Sequence, residues 1–403
     1  MNETIYDAVV IGGGPSGATA ASDLARKGHS VLLIERGGRI KPCGGAVPPR
    51  LLEDFDIPKS LLVARARSAR MIAPSGRAVD MPVGEIGYVG MVDREEYDEW
   101  LRERAASDGA ERLTATFDKI ERDDQPHPLV TFRRERGGPI EAVRARCIVG
   151  ADGARSAVAK QALPNASRVK CVFAYHEIIK SPANDGADWN LDAYDPDRCD
   201  VFYQGRLSPD FYAWVFPHGE TASIGVGSAN KGFSLRGAVA QMRGDLRLDR
   251  CETVRREGAP IPLKPLKKWD NGRDVIVAGD AAGVVAPASG EGIYYAMVGG
   301  RFSAEAASEF LATGDAKALK SARRRFMKEH GRVFWVLGVM QYFWYSSDKR
   351  RERFVSMCDD KDVQQLTWQA YMNKKLVRSK PMAHVKIFLK DTAHLLGLKA
   401  ETS

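Results

Sequence analysis

The sequence predicts a mixed α/β fold, and three places where an apolar run meets glycine carry that prediction. Residues 6–11 (YDAVVI) lead directly into a glycine-rich segment at 12–17. Residues 148–150 and 275–278 are apolar runs of the same kind, each followed closely by an aspartate and a glycine. Short apolar runs rich in β-branched residues are typical of strands buried in a parallel sheet. We therefore expect a core of parallel strands with functional turns at their ends.

The first glycine-rich segment belongs to a predicted βαβ unit. An alanine-rich helix is expected at 18–27, Gly28 can end it, and a second strand covers 31–35. A charged amphipathic helix is expected at 93–106. The strands of a meander are expected at 114–121, 129–134 and 142–150. The later chain predicts antiparallel strands over about 165–265, a helix from about 290, and basic helical sequence from 315 onward.

Composition and cysteine spacing exclude several classes of protein. Six cysteines without a C-x-x-C pair offer neither zinc spacing nor a disulfide framework, so we expect no metal site and a reducing, cytoplasmic compartment. The net charge of +8 is mild for 403 residues, and the basic clusters lack a nucleic-acid-binding signature. No leader pattern opens the chain, and the apolar segment 333–345 is shorter than the roughly 20 residues that span a bilayer.

The segment at 12–17 fits the pattern G-x-G-x-x-G. The pattern alone is a weak signal, but here it lies between a predicted strand and a predicted helix, as in dinucleotide-binding turns. Gly12 permits the tight turn, Gly14 lets the backbone approach a pyrophosphate, and Gly17 lets helix and strand pack closely. The pyrophosphate would lie at the helix N-terminus. Glu35 follows eighteen residues after Gly17 at the end of the second strand, where its carboxylate can bind ribose hydroxyls.

A second element favours a flavin dinucleotide over a nicotinamide dinucleotide. The strand at 275–278 runs into Gly279 and Asp280, and an aspartate there can accept a hydrogen bond from the ribityl chain of FAD. A glycine-rich helix start follows at 289–293. Its N–H groups can bind the pyrimidine end of the flavin ring and stabilise negative charge on the reduced form. The sequence therefore predicts FAD as the cofactor.

A third element, IVGADGARS at 148–156, again runs from a strand through an acid and a glycine to a helix. Together the three elements resemble the FAD-binding superfamily of the aromatic hydroxylases. This resemblance implies that Asp152 and Gly153 lie near FAD and near the path of a transient NAD(P)H.

Three further segments narrow the resemblance. They are KPCGGA at 41–46, GMVDR at 90–94 and PDFYAWVFP at 209–217, which reads P-x-x-Y-x-W-x-F-P. These segments resemble the geranylgeranyl reductase family, most closely its (bacterio)chlorophyll branch, and longer runs at 255–266 and 281–296 agree. The resemblance covers nearly the whole chain.

The family resemblance implies an oxidoreductase that acts on CH–CH groups, with FAD as cofactor and NADPH as transient reductant. The implied substrate is a geranylgeranylated (bacterio)chlorophyll. Its C20 tail would be reduced to phytyl in three successive double-bond reductions, a step of chlorophyll and bacteriochlorophyll biosynthesis in photosynthesis.

The motifs and the resemblance together give the expected site residues. The residues expected to bind FAD are Gly12, Gly14, Pro15, Ser16, Gly17, Glu35, Arg36, Cys43, Gly44, Gly45, Arg94, Asp152, Gly153, Asp280, Gly290, Gly292 and Ile293. The residues expected to line the prenyl pocket are Tyr212, Trp214, Phe216 and His218. The catalytic candidates are Cys43, Tyr212 and Trp214.

The chemistry of an isolated alkene supports aromatic residues in that pocket. Such an alkene accepts hydride poorly, so we hypothesise that protonation comes first or is well advanced and gives tertiary-carbocation character. An aromatic face can stabilise a cation by about 2 kcal/mol when water is excluded. The proton donor stays open among Cys43, Tyr212 and an ordered water. His176 lacks metal-ligand spacing and is interpreted as structural or as polar pocket lining.

The predicted fold divides into a Rossmann-type FAD-binding domain, an antiparallel-sheet substrate domain and a C-terminal helical region. The FAD-binding domain is expected in three pieces at 1–55, 80–160 and 268–315. The substrate domain is expected at 56–79 and 161–267, and the helical region at 316–403.

The C-terminal region allows two interpretations. Its aromatic residues are Phe334, Trp335, Tyr342, Phe343, Trp344 and Tyr345, and basic residues follow at 349–351. This combination suits a peripheral contact with the photosynthetic membrane. The alternative is a helical cap that packs on the other domains.

Three other functions stay open. A flavin-dependent aromatic monooxygenase would share the flavin motifs, but it gives no reason for K-P-C-G-G and P-x-x-Y-x-W-x-F-P together. A reductase of geranylgeranyl diphosphate or of archaeal-type prenyl lipids would use the same chemistry. A flavin-binding pigment carrier would hold a flavin that NADPH does not reduce.

Overall fold

Three β-sheets and a C-terminal group of helices make up the part of the chain that the computed structural model describes. The described residues are 4–374 except 39, 165, 167, 168, 185–191 and 193. The mixed α/β fold with an antiparallel sheet and C-terminal helices is confirmed. The predicted helical sequence at 375–403 lies outside the described residues.

The first sheet places the three glycine turns at one edge. Its strands are β1 (Ile5–Ile11), β2 (Val31–Glu35), β8 (Glu111–Thr114), β9 (Thr116–Glu121), β10 (Leu129–Arg133), β11 (Glu141–Gly150) and β17 (Val275–Val277). Strands β8, β2, β1 and β11 are parallel neighbours in that order. The end of β11 also pairs with β17 in parallel, and its beginning pairs with β10 in antiparallel. The carboxyl ends of β1, β11 and β17 therefore meet, as the three apolar runs predict.

The second and third sheets form the other half of the molecule. The second sheet contains β5 (Ser68–Ile72), β6 (Ala78–Pro82), β12 (Cys171–Lys180), β13 (Arg198–Phe202), β14 (Ala213–His218), β15 (Thr221–Ser228) and β16 (Thr253–Pro262). The third sheet contains β3 (Ala46–Val47), β4 (Leu62–Ala66) and β7 (Val89–Val92). All pairings are antiparallel except that of β13 with β5.

The helices are α1 (Pro15–Arg26), α2 (Pro49–Asp54), α3 (Arg94–Ser107), α4 (Ala157–Ala162), α5 (Leu235–Asp245), α6 (Ile293–Thr313), α7 (Lys320–Trp344), α8 (Asp348–Met357) and α9 (Lys361–Asn373). The helices alternate with strands up to α5, and α6 to α9 follow one another through the last part of the described residues. Helices α1 and α6 cross closely because small residues face each other. A Cβ on Gly300 would lie 2.2 Å from the Ser16 carbonyl oxygen, so a larger residue there would push the helices apart.

One predicted strand begins two residues too early. The expected meander is present as β9, β10 and β11, but residue 114 ends β8, and β8 and β9 lie at opposite edges of the first sheet. Thr114 ends β8, which pairs with β2, and the Ala115 N–H donates to the Glu35 carbonyl at 3.0 Å. The chain then turns away as β9 to pair with β10. Alternation within the segment could not reveal this change of partner, because both strands are extended.

The domain boundaries stay a prediction. The expected FAD-binding piece at 80–160 begins inside β6, which pairs with β5 in the second sheet.

Candidate active site: two adjoining cavities

The glycine turn after β1 has the close contacts that its motif requires. Gly12 has φ +103°, and a Cβ there would lie 2.4 Å from the Ala151 carbonyl oxygen. A Cβ on Gly17 would lie 1.8 Å from the Gly12 carbonyl oxygen. A Cβ on Gly14 would meet no atom within 4 Å. Gly12 and Gly17 therefore allow the fold itself, whereas Gly14 leaves its backbone open to a ligand.

Glu35 is held against this turn. Its carboxylate accepts a hydrogen bond from the Gly13 N–H, and the Arg102 guanidinium donates to the Gly13 carbonyl at 3.2 Å. Burial raises the pKa of the Glu35 carboxyl, and the hydrogen bond from Gly13 opposes that shift. The carboxylate lies at the end of β2, the position from which we expect it to bind the ribose hydroxyls of the cofactor.

A cavity of about 880 Å³, called here the large cavity, opens beside this turn. Its lining joins the ends of β1, β2, β11 and β17 to residues of the second sheet. The predicted cofactor residues that line it are Gly12, Gly14, Pro15, Ser16, Glu35, Arg36, Asp152, Gly153 and Asp280. Gly17 is absent from this lining, in agreement with its packing role.

The two aspartates of the large cavity already have protein partners. Asp152 accepts hydrogen bonds from the backbone N–H groups of Ala157 and Val158, at 2.6 and 3.2 Å, and so caps α4. The Asp280 carboxylate pairs with the Lys41 ammonium at 2.5 Å. Sequence reasoning missed Lys41 as the partner of Asp280, because 239 residues separate the two.

A second cavity, called here the apolar cavity, has a volume of about 310 Å³. The predicted residues in its lining are Cys43, Gly44, Gly45, Arg94, Tyr212, Trp214, Phe216, Gly290, Gly292 and Ile293. The two cavities share a wall made of Pro15, Lys41, Ala174, Ala259, Pro260, Asp280 and Ala296. The structure therefore brings the second group of predicted cofactor residues and the predicted prenyl residues to one place.

The aromatic residues of P-x-x-Y-x-W-x-F-P form one wall of the apolar cavity. The rings of Tyr212 and Trp214 lie 5.9 Å apart, edge to face, and those of Trp214 and Phe216 lie 6.2 Å apart. The Trp214 indole N–H donates to the Ser223 hydroxyl at 3.1 Å, and a His176 ring nitrogen lies 3.0 Å from the same hydroxyl. These contacts restrain the orientation of the indole ring in the cavity wall.

Tyr212 is poorly placed to release its proton. Its hydroxyl donates to the Ser289 carbonyl at 2.6 Å, in the glycine-rich segment before α6. Burial strongly raises the pKa of Tyr212. A Cβ on Gly290, whose φ is +66°, would lie 3.1 Å from the same hydroxyl oxygen, so glycine allows this close approach.

Cys43 lies next to a buried cation at the other side of the apolar cavity. The Arg94 guanidinium pairs with Asp98 at 2.6 Å and also interacts with the Cys43 sulfur.

His218 does not line the apolar cavity. It lies in a separate small cavity of about 20 Å³ together with Arg255 and Glu257. Gly45, which lines the apolar cavity, lies against the His218 ring, because a Cβ on Gly45 would be 2.6 Å from the His218 Nε2 atom. Burial lowers the pKa of His218 from 6.5 to about 4. A direct substrate contact by His218 stays a prediction without support from this geometry.

Helix α9 closes the apolar cavity with residues that sequence reasoning missed. Thr367, Trp368 and Tyr371 of α9 line the cavity, although they lie about 150 residues beyond the aromatic motif. Lys374 follows the helix and forms a buried ion pair with Glu291. Trp368 and Tyr371 are three residues apart, a helical spacing that could have indicated one shared face.

The C-terminal aromatics fall into two groups. Phe334, Trp344 and Tyr345 are buried, which agrees with a helical cap. In contrast, Trp335 and Tyr342 are 71% and 85% exposed on one side of α7. Within the described residues, the helices are all too short or too polar to cross a membrane.

The large cavity suits a flavin dinucleotide because Gly14 leaves an open backbone beside Glu35 and the start of α1. Comparison with solved structures agrees on the fold. A geranylgeranyl bacteriochlorophyll reductase-like protein from Thermoplasma acidophilum has a TM-score of 0.79 at 22% identity, covering 94% of this chain and 99% of that one. A flavin-dependent brominase has a TM-score of 0.71 at 17% identity, covering 96% and 100%. The chain therefore shares the fold of these proteins, and its large cavity is of a kind that suits a dinucleotide cofactor.

Sequence comparison gives the family. The geranylgeranyl diphosphate reductase of Rhodobacter capsulatus is 58% identical over 98% of both chains. The chloroplastic geranylgeranyl diphosphate reductase of Oryza sativa is 36% identical over 97% of this chain and 86% of its own. A family model described as lycopene cyclase protein matches residues 7–176. The chain belongs to the geranylgeranyl reductase family, which confirms the family predicted from the motifs.

Proposed function

We propose that this protein reduces the geranylgeranyl tail of a (bacterio)chlorophyll to phytyl in three successive double-bond reductions, with FAD as cofactor and NADPH as reductant. The observation that carries the proposal is the shared wall between the two cavities. It places an apolar, aromatic-lined space directly beside the residues expected to hold the flavin. The R. capsulatus and rice relatives are named geranylgeranyl diphosphate reductases, which supports a C20 prenyl group as the part that is reduced.

Only the tail of the substrate would enter the apolar cavity. Among the described residues, the lining of the apolar cavity contains one lysine, Lys41, and one arginine, Arg94. Lys41 is already paired with Asp280, and Arg94 is paired with Asp98. Such a lining suits a hydrocarbon chain, because a diphosphate there would lack a free cation. The pigment macrocycle would remain outside.

The residues of the cavity would lower the barrier by stabilising positive charge on the alkene. FAD held by the residues of the large cavity would, once reduced, provide the hydride for one alkene carbon, and a protein-held donor would provide the proton for the other. Trp214 and Tyr212 line the cavity, and a contact between an aromatic face and a cation contributes about 2 kcal/mol once a bound tail excludes water. Because each 1.36 kcal/mol is a factor of ten in rate, this contribution is about thirtyfold.

Cys43 is the proton donor that the geometry favours. Tyr212 has a raised pKa and its hydrogen is engaged by Ser289. Cys43 borders the apolar cavity, and its sulfur interacts with the Arg94 guanidinium. Water outside the cavity would reprotonate Cys43 between reductions.

We also propose that the exposed side of α7 touches the membrane that holds the pigment. Trp335, Val339 and Tyr342 are exposed at helical spacing on this side. Exposed aromatics on one helix face are typical of interfacial helices. Replacing Trp335 and Tyr342 together by serine should reduce sedimentation with anionic lipid vesicles without changing reduction of a detergent-dispersed substrate.

An anaerobic experiment tests the proposed reaction. The purified flavoprotein is reduced with NADPH, and geranylgeranyl bacteriochlorophyll is added in detergent. We expect flavin reoxidation and product masses that rise by two hydrogens per step. Geranylgeranyl diphosphate and a phenol are added to parallel samples.

The parallel samples separate the other functions. If geranylgeranyl diphosphate reoxidises the flavin faster than the pigment does, the free diphosphate is the substrate instead of the pigment. Reduced flavin that persists until oxygen is admitted would contradict prenyl reduction and indicate a monooxygenase. Flavin that NADPH does not reduce would indicate a carrier or another reductant.

A further inference from the structure

The large cavity extends beyond the residues expected to hold FAD. Its far wall comes from the second sheet and from the start of α5, which packs on β12 and β15. The lining residues of this far wall are Phe173, Tyr175, Phe233, Ser234, Leu235 and Arg236. The FAD motifs do not include any of them, so this wall has no role in the function proposed so far.

Two arginines project over aromatic rings at this wall. The Arg155 guanidinium lies 5.5 Å from the centre of the Phe173 ring, and the Arg236 guanidinium lies 5.6 Å from the centre of the Tyr175 ring. Phe173 and Tyr175 are two residues apart on β12 and therefore point to the same face. Each guanidinium group therefore lies over a ring on the same face of β12, and both arginines line the large cavity.

Neither arginine has a protein anion as partner. Both are exposed, and within the described residues no carboxylate lies within 4 Å of either guanidinium. By contrast Lys41, another cation of the same lining, is paired with Asp280. An arginine stacked on a ring keeps its planar set of donors available, which suits phosphate oxygens.

We propose that Arg155 and Arg236 bind the phosphate groups of NADPH while it reduces the flavin. This inference rests on the proposed function, which supplies NADPH as the reductant. The dinucleotide would lie along β12, with its phosphates on the two guanidinium groups and an adenine or nicotinamide ring near the exposed face of Phe173. Phe173 is 40% exposed, which is unusual for a large apolar ring in the middle of a sheet.

The test is the anaerobic rate of flavin reduction as a function of NADPH concentration. The variants are Arg155→Gln and Arg236→Gln. The matched control is Arg65→Gln, because Arg65 is also exposed and stacked, 5.4 Å from the Tyr88 ring centre, but lines neither cavity. We expect the NADPH concentration for half-maximal rate to rise about tenfold in each variant and to stay unchanged in the control.

Two further measurements identify what has changed. Flavin reduced with dithionite should reoxidise with the prenyl substrate at the wild-type rate in every variant, because this route bypasses NADPH. Repeating the titration with NADH locates the contact. A loss of preference for NADPH assigns the arginine to the 2′-phosphate, and equal losses with both coenzymes assign it to the pyrophosphate.

The outcomes distinguish the site from the function. Unchanged NADPH dependence in both variants, with wild-type flavin reduced by NADPH, would overturn the site and leave the proposed function intact. Wild-type flavin that NADPH does not reduce would overturn the reductant, and the site with it. A loss that also appears after dithionite reduction would show damage to the flavin site and would overturn the assignment to NADPH.

Discussion

The large cavity and the apolar cavity differ in how the chain builds them. The glycine turns of the large cavity follow strands β1, β11 and β17 of one sheet, and each turn is a short local motif. The apolar cavity instead combines Cys43, the aromatic strand β14 and helix α9, which lie far apart in the chain. Backbone geometry therefore governs the first cavity, whereas packing between distant segments governs the second.

The largest effect should come from the backbone contacts of the glycine turn. Gly17→Ala would push a Cβ against the Gly12 carbonyl, and we expect it to cost more than about 3 kcal/mol or to prevent folding. Gly14→Ala is the matched variant, because its Cβ meets no protein atom and its φ of −72° suits alanine.

For Gly14→Ala we expect apoprotein stability within about 1 kcal/mol of the wild type, but FAD affinity lower by about tenfold. Urea unfolding of the apoprotein and fluorescence titration with FAD measure the two effects. Equal losses of stability in both variants would contradict the distinction between a folding glycine and a ligand-facing glycine.

The ion pair between Glu291 and Lys374 tests the packing that closes the apolar cavity. Lys374→Met leaves the Glu291 carboxylate buried without its partner, which should cost about 3–5 kcal/mol in the free energy of unfolding. The double variant Lys374→Met with Glu291→Gln should recover most of that loss. Urea unfolding of the single and double variants measures the difference, and a double variant no better than the single would show that the pair does not act as a unit.

The pH dependence of stability should report on His218. Its pKa is about 4 in the folded protein, against 6.5 ordinarily. On acidification the unfolded chain therefore binds a proton first, and the free energy of unfolding falls between pH 6.5 and 4 by about 3 kcal/mol. In His218→Gln the loss over this range should be smaller by that amount. Parallel curves for the two proteins would mean that His218 is exposed to solvent.

The smallest of these effects should be on the reaction itself. Trp214→Leu removes a ring face from the apolar cavity, and we expect alkene reduction to slow about thirtyfold while NADPH reduces the flavin at the normal rate. Trp335→Leu on the exposed side of α7 is the control and should leave both rates unchanged with a detergent-dispersed substrate. A wild-type rate in Trp214→Leu would assign this tryptophan to packing alone.

The sequence predicts more of the large cavity than of the apolar cavity, because local motifs form the first and distant segments pack together to form the second. Gly12, Gly17 and Asp280 could be placed because a tight turn after a strand needs particular residues at fixed spacing. Trp368, Tyr371 and Lys374 could not be placed, because a helix face shows that it is buried but not which distant surface covers it. The aromatic motif around Trp214 was found through its resemblance to a family rather than through its local pattern.

Strand β12 contributes residues to both cavities, and Ala174 belongs to the wall that they share. Phe173 and Tyr175 line the large cavity from one face, and His176 lines the apolar cavity from the other. If the reductant and the prenyl chain approach from opposite faces of this strand, one can leave and return while the other stays. Successive reductions would then proceed on one prenyl chain without its release. We expect the enzyme to act processively, so that partly reduced tails stay bound and rarely accumulate in solution.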